Sequence, residues 1–146
     1  MNIRPFQPSD LDSVVRIEQL NFTIPWSGPS FLDCSQWPEF WFRVAVLDKK
    51  VVGYFVAQVV EEEAELHNIA VDPDHHRQGV GRALMNHLLE AIKKKKVRHV
   101  FLLVRPSNTA AIHLYQQFGF ALLDRRPKYY ADTGEDGLIF YKDLDT

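Results

Sequence analysis

"VDPDHHRQGVGRALM", residues 71–85, decides how the rest of the chain is read. A β-branched residue runs into an Asp-Pro-Asp turn, two glycines follow one residue apart, and an apolar-periodic stretch begins. Strand, turn and helix in that order make a βα unit. The helix is predicted over residues 80–96, with Ala83, Leu84, Leu88, Ala91 and Ile92 on one side. A helix N-terminus leaves amides without intrahelical partners and carries partial positive charge, so glycines there admit a phosphate. Spacing excludes two other phosphate loops: no GxxxxGK string exists, and the third glycine of a dinucleotide fingerprint is Leu84.

Upstream, "AELHNIAV" (64–71) reads as a strand. "FWFRVAVL" (40–47) and "VVGYFVAQVV" (51–60) are β-branched and aromatic runs joined by a hairpin at Asp48, Lys49 and Lys50. Residues 3–6 can form a short first strand. "SDLDSVVRIEQLN" (9–21) reads as a helix with Ser9 as N-cap and Asp12 in the capping-box position, and a second short helix is expected around residues 30–36. Downstream, "HVFLLV" (99–104) is a strand and "SNTAAIHLYQQFGF" (107–120) a helix ended by Gly119. "FALLDRR" and "GLIFYKDL" bracket "PKYYADTGED" as a long hairpin. Antiparallel strands, then βαβ, then a hairpin predict an α/β (α+β) mixed sheet with parallel central strands and helices on both faces. No repeat or linker divides the chain, so residues 1–146 are read as a single domain.

At 146 residues and 46% hydrophobic, the chain can bury a core. Its net charge of -2 supplies no basic field for nucleic acid. A single cysteine, Cys34, allows no internal disulfide, and neither a signal-peptide core nor a bilayer-length apolar run is present. The expectation is a cytoplasmic protein without nucleic-acid or membrane partners. Six histidines include no HExxH and His75 and His76 are adjacent, so no metal is expected.

"HNIAVDPDHHRQGVGRALM" (67–85) resembles the acetyl-coenzyme A signature of the GNAT superfamily of N-acetyltransferases, Arg/Gln-x-x-Gly-x-Gly/Ala, and the resemblance covers nearly the whole chain. It implies the GNAT fold, with a splayed parallel strand pair that binds coenzyme A, and acetyl-CoA as cosubstrate. Arg77, Gln78, Gly79, Val80, Gly81 and Arg82 would form the turn that holds the pyrophosphate. Ile69, Ala70 and Val71 would pair with the pantetheine arm. His76 departs from the signature, standing where Arg or Gln is customary.

"PWS" (25–27), "NIAVDP" (68–73), "VRPSNTAAIHLYQQFGF" (104–120) and the pair Tyr129-Tyr130 resemble the ribosomal-protein-alanine N-acetyltransferases, which acetylate a protein's amino terminus. This implies a protein or peptide N-terminus as acceptor, a ribosomal protein among the candidates. Ile24, Pro25 and Tyr130 would touch its first residues, while Trp26 packs in the core.

Acetyl transfer from a thioester to an amine needs a neutral amine, an oxyanion donor and an acid for the departing thiolate. Tyr115 is the acid candidate, and a backbone amide among residues 69–71 the oxyanion donor. Asn108 and Tyr115 lie seven apart and share a helix face, so Asn108 can reach the pantetheine while Tyr115 meets the sulfur. A plain core aromatic is the other reading of Tyr115. Leu103 occupies the position where these enzymes typically carry a basic Glu, and leucine takes no proton.

Two substitutes sit on "AELHNIAV", where Glu65, His67, Ile69 and Val71 are read as alternating onto one face. Glu65 falls in the register at which some histone-type members of the superfamily place their catalytic Glu. His67 could act through a water. A solvated charge and an aromatic-like filler are their respective alternatives. An α-amine, with a pKa of about 7.7 to 8.0, is roughly a tenth neutral near pH 7, whereas a lysine amine at about 10.4 is well under a hundredth neutral. The gap corresponds to roughly 3.4 kcal/mol, so loss of a dedicated base favours an α-amine substrate. The alternatives are a lysine or small-molecule amine acetyltransferase, and a coenzyme-binding module that has lost catalysis.

Overall fold

Asp48 and Lys49 take left-handed φ values of 51° and 65°, the backbone that lets a two-residue turn match the twist of its strands. The turn joins β2 (Phe40–Leu47) to β3 (Lys50–Val60). The structure, a computed structural model, describes residues 1–145. β1 (Asn2–Pro5) pairs antiparallel with β2, and β4 (Glu63–Val71) antiparallel with β3. β4 pairs parallel with β5 (His99–Val104), and the crossover that a parallel pair demands is α3 (Val80–Lys94). The final hairpin, β6 (Ala121–Arg126) and β7 (Gly137–Asp143), folds back so that β7 lies beside β5 and β6 forms the edge, giving the order β1-β2-β3-β4-β5-β7-β6.

β3 carries the core on both faces, as its unbroken apolar run requires. Val51, Tyr54 and Val56 pack with Val14 and Ile17 of α1 (Leu11–Asn21) and Phe31 of α2 (Gly28–Ser35). Val52, Phe55 and Ala57 pack with Leu84, Met85 and Leu88 of α3 and Tyr115 of α4 (Thr109–Gln117). Two apolar layers therefore sandwich the sheet. No helix of the described residues is long and apolar enough to cross a membrane.

Three local expectations are corrected. Ser9 does not cap α1; it sits in a 3-10 turn, Pro8–Asp10, because the Asp10 carboxylate is drawn back to the Gln7 amide (2.8 Å) and the Arg4 guanidinium (2.8 and 2.9 Å). The second helix starts at Gly28, with the Ser27 hydroxyl accepting from the Ser30 amide. On β4, Val56 pairs with Asn68 and Ala57 with Leu66, so His67 has no partner and is a β-bulge. The bulge exchanges the faces of the strand. Ile69 and Val71 pack on the α3 side, whereas Asn68 and Ala70 point toward α1. Glu65 and His67 therefore do not share a face with Ile69 and Val71.

Candidate active site

The turn between β4 and α3 begins at Asp72, which is fully buried. Its carboxylate accepts the Asp74 amide and the Arg16 guanidinium of α1, both at 3.0 Å. Burial opposes its charge, yet the Asp74 amide and Arg16 hold the carboxyl below its ordinary value. His76 donates from Nε2 to the Val71 carbonyl (3.1 Å), tying the turn to the end of β4. Arg77 (φ 64°) and Gly79 (φ 82°) are left-handed and swing the chain into the helix.

The Ala83 amide donates to the Gly79 carbonyl (3.0 Å), which leaves the amides of Val80, Gly81 and Arg82 without helical acceptors. A Cβ on Gly81 would meet Leu114 at 3.6 Å and Val71 at 3.8 Å, both ordinary contacts. No neighbouring protein atom demands glycine at 81, whereas close approach by an anion does. The turn therefore fits a pyrophosphate. Arg82 joins it through its backbone: its guanidinium bonds Gln117 and lies 5.5 Å from the Phe118 ring. Gln78 is held by His75 (3.2 Å).

β4 and β5 stay paired only from Glu63–His99 to Leu66–Leu102. Beyond that point Leu103 and Val104 remain with β7, and residues 67–71 lose their strand partner on that side. The parting leaves Ile69, Ala70 and Val71 without a β5 partner along one edge, where the Val71 carbonyl accepts from His76 and Asn21 (3.1 Å each). Asn108 caps α4 by accepting the Ala111 amide (3.2 Å), which leaves its Nδ2 as a donor. Tyr115, 6% exposed, packs against Phe120 at 6.0 Å. Burial, and then the Tyr130 phenol, push its hydroxyl well above the usual phenol value, so it stays protonated.

A cleft of about 850 Å³ opens on the α1 side of the sheet, lined among others by Gln58, Glu65, Leu103, Leu123, Asp124 and Tyr129. Leu103 packs beside Tyr129 over Gly137 and makes this wall apolar. Glu65, paired in register with Phe101, has its carboxylate oxygen 3.7 Å from the His67 Nε2. That nitrogen also bonds Gln58 at 3.0 Å. Tyr115 belongs to the apolar layer on the opposite side, so it meets Glu65 and His67 only across the strand opening.

Three loops close the mouth. Thr23, from the loop before α2, donates to Asp132 at 2.5 Å, and Arg105, after β5, donates to the same carboxylate at 2.7 Å. Arg105 and Thr23 pull the Asp132 carboxyl down to about 2. The Arg105 guanidinium lies 4.0 Å from the Tyr130 ring, which in turn lies 5.1 Å from Tyr129. Ile24 is 61% exposed and Pro25 is also exposed. Trp26 is half-buried between Phe31 (5.3 Å) and His67 (6.2 Å), at the margin of the core rather than within it.

One residue escaped sequence reasoning. Glu18 of α1 is 1% exposed, and its carboxylate accepts the Tyr54 hydroxyl, the Asn68 Nδ2 (3.1 Å) and the Trp26 amide (2.9 Å). It joins the loop before α2 to the parted strand. The readable signal is an acid four residues after Val14 and beside Ile17, on the helix face that is otherwise apolar. Among the described residues, no three His, Cys, Asp or Glu side chains converge as a metal site would need.

The chain matches the Acetyltransferase (GNAT) family over residues 11–120. It is 40% identical over 139 residues to the ribosomal protein bS18-alanine N-acetyltransferase of Escherichia coli (strain K12), covering 94% of this chain and 93% of that one. The enzyme of the same name from Haemophilus influenzae is 32% identical over 128 residues, 88% of this chain and 86% of that one. Among solved structures it is similar to the ribosomal-protein-S18-alanine N-acetyltransferase of Escherichia coli, with a TM-score of 0.91 at 38% identity over 98% of this chain and 93% of that one. Ard1 from Thermoplasma volcanium superposes with a TM-score of 0.90 at 33% identity over 98% and 97%.

Proposed function

The chain belongs to the GNAT acetyltransferase family and is an acetyl-CoA-dependent N-acetyltransferase; we propose that it acetylates the N-terminal α-amine of a protein, with the alanine of ribosomal protein bS18 as acceptor. The observation that carries this reading is the parting of β4 from β5 after Leu66, with free amides at one end and a walled cleft on the other side. A donor and an acceptor would meet there from opposite faces of the sheet.

Acetyl-CoA supplies a thioester carbonyl for the amine to attack. The amides of Val80, Gly81 and Arg82, with Gly79 before them and Arg77 and Gln78 shaping the turn, would hold its pyrophosphate. The backbone of Ile69, Ala70 and Val71 would orient the pantetheine and polarise the carbonyl, and Asn108 would add its Nδ2 donor. Tyr115 holds a proton for the departing thiolate, and its protonated state supports that role. Glu65, with His67 alongside, would take the amine's proton from the cleft wall that Leu103 leaves apolar. Ile24, Pro25 and Tyr130 would flank the first acceptor residues. No step calls on a metal.

The test is kcat/KM on short alanine-initiated peptides with free and blocked N-termini. Turnover is expected only with the free amine. Equal turnover of a blocked, lysine-bearing peptide would overturn the reading.

A further inference from the structure

A second cavity, of about 350 Å³, is lined by Trp26, Ser30, Asp33, Cys34, Trp37 and Phe40. None of the chemistry above uses it, yet it leaves Trp37 57% exposed. Aromatic ring faces are negative and bind cations, more strongly once water is excluded. Asp33 adds a full negative charge at the same cavity. Of the residues that line it, Asp33 alone is charged, and none is a Lys, Arg or His.

This cavity lies beside the larger cleft, with His67 between them. The His67 ring lies 6.2 Å from Trp26 and 5.7 Å from Phe40, and its Nε2 bonds Gln58, which lines the larger cleft. The larger cleft is acidic as well, with Glu63, Glu65 and Asp124 against Arg126. His67 is two residues from Ile69 on β4, roughly 7 Å of extended chain. A peptide whose amine reaches the parted strands therefore brings the side chains of its next few residues past His67.

We infer that the aromatic cavity holds the cationic side chain of a basic residue within the first few positions of the acceptor. The inference rests on the N-terminal acceptor proposed above and narrows it to acceptors that are basic near their amino end. Guanidinium suits the site best, because its plane stacks on rings while its edge meets a carboxylate.

The experiment compares alanine-initiated peptides carrying arginine, citrulline or norleucine at each of positions two to five. Arginine at one position is expected to raise kcat/KM about tenfold over citrulline, mainly through KM. Asp33→Asn, an exposed and isosteric change, is expected to bring the arginine peptide down to the level of the citrulline peptide, and Trp37→Ala to do the same. Equal rates for arginine and citrulline at every position, or a preference for norleucine, would overturn the cavity's assignment while leaving N-terminal acetylation standing. Acetylation of lysine in N-terminally blocked peptides would instead overturn the N-terminal reading and this inference with it.

Discussion

At the scale of single residues, the proposed chemistry rests on Tyr115 and Glu65. Tyr115→Phe is expected to lower kcat by about 10²-fold or more with little change in KM for acetyl-CoA, as loss of a positioned acid does. Because burial holds the Tyr115 phenol above its usual value, kcat should show no fall from its deprotonation up to about pH 10. Glu65→Gln is expected to lower kcat/KM by about 10-fold or more. Leu103→Glu should restore most of that loss, since positions 65 and 103 line one cleft on adjacent strands. Unchanged rates for Glu65→Gln between pH 6 and 9 would remove it as the base. The placement of Tyr115 was legible, because its seven-residue spacing from Asn108 survives as an N-cap and a buried turn of one helix. Glu65 was legible as a candidate, but its face was not. Burial alternates along β4 whether or not a residue bulges, so the periodicity conceals the exchange of sides at His67.

At the scale of elements, the N-terminus of α3 allows coenzyme binding and stability to be separated. Gly81→Ala adds a methyl that meets only ordinary contacts, and should stabilise the helix by up to about 1 kcal/mol. It should nevertheless raise KM for acetyl-CoA about tenfold by blocking the amides. Loss of stability with unchanged KM would contradict the cradle. Gly79 and the apolar period of α3 made this element readable from the chain. The role of Glu18 emerges only with tertiary structure, because its partners Tyr54 and Asn68 lie 36 and 50 residues away. Glu18→Ala strands three donors that are otherwise satisfied, and the expected loss in urea unfolding is about 3 to 5 kcal/mol.

At the scale of the whole molecule, stability is expected to respond to pH in two stages. Burial, and then Arg43, disfavour the charged form of His87. The unfolded chain therefore takes that proton first, and stability begins a shallow decline as the pH falls below about 6.5. The Asp10 and Asp132 carboxyls are held below their ordinary values, chiefly by Arg4 and Arg105 respectively. Their contribution is complete above the unfolded value near 3.9 and is lost as the pH falls through the lower folded values. A melting profile should show both stages, with His87→Gln removing only the first. A single drop below about pH 4 in the unsubstituted chain would contradict the assignment of His87.

Sheet composition and the βαβ crossover were readable at this scale from local patterns. The insertion of β7 between β5 and β6 was not, because either strand of the last hairpin could have paired with β5. Neither was the closure of the mouth through Thr23 and Asp132, which joins residues 109 apart. The central claim is that these elements converge on a protein's α-amine. Its most direct test is to incubate the enzyme and acetyl-CoA with a peptide bearing both an N-terminal alanine and an internal lysine, and to locate the acetyl group by fragment mass spectrometry. The account predicts a single acetyl on the alanine nitrogen; an acetyl on the lysine side chain with a free N-terminus would contradict it.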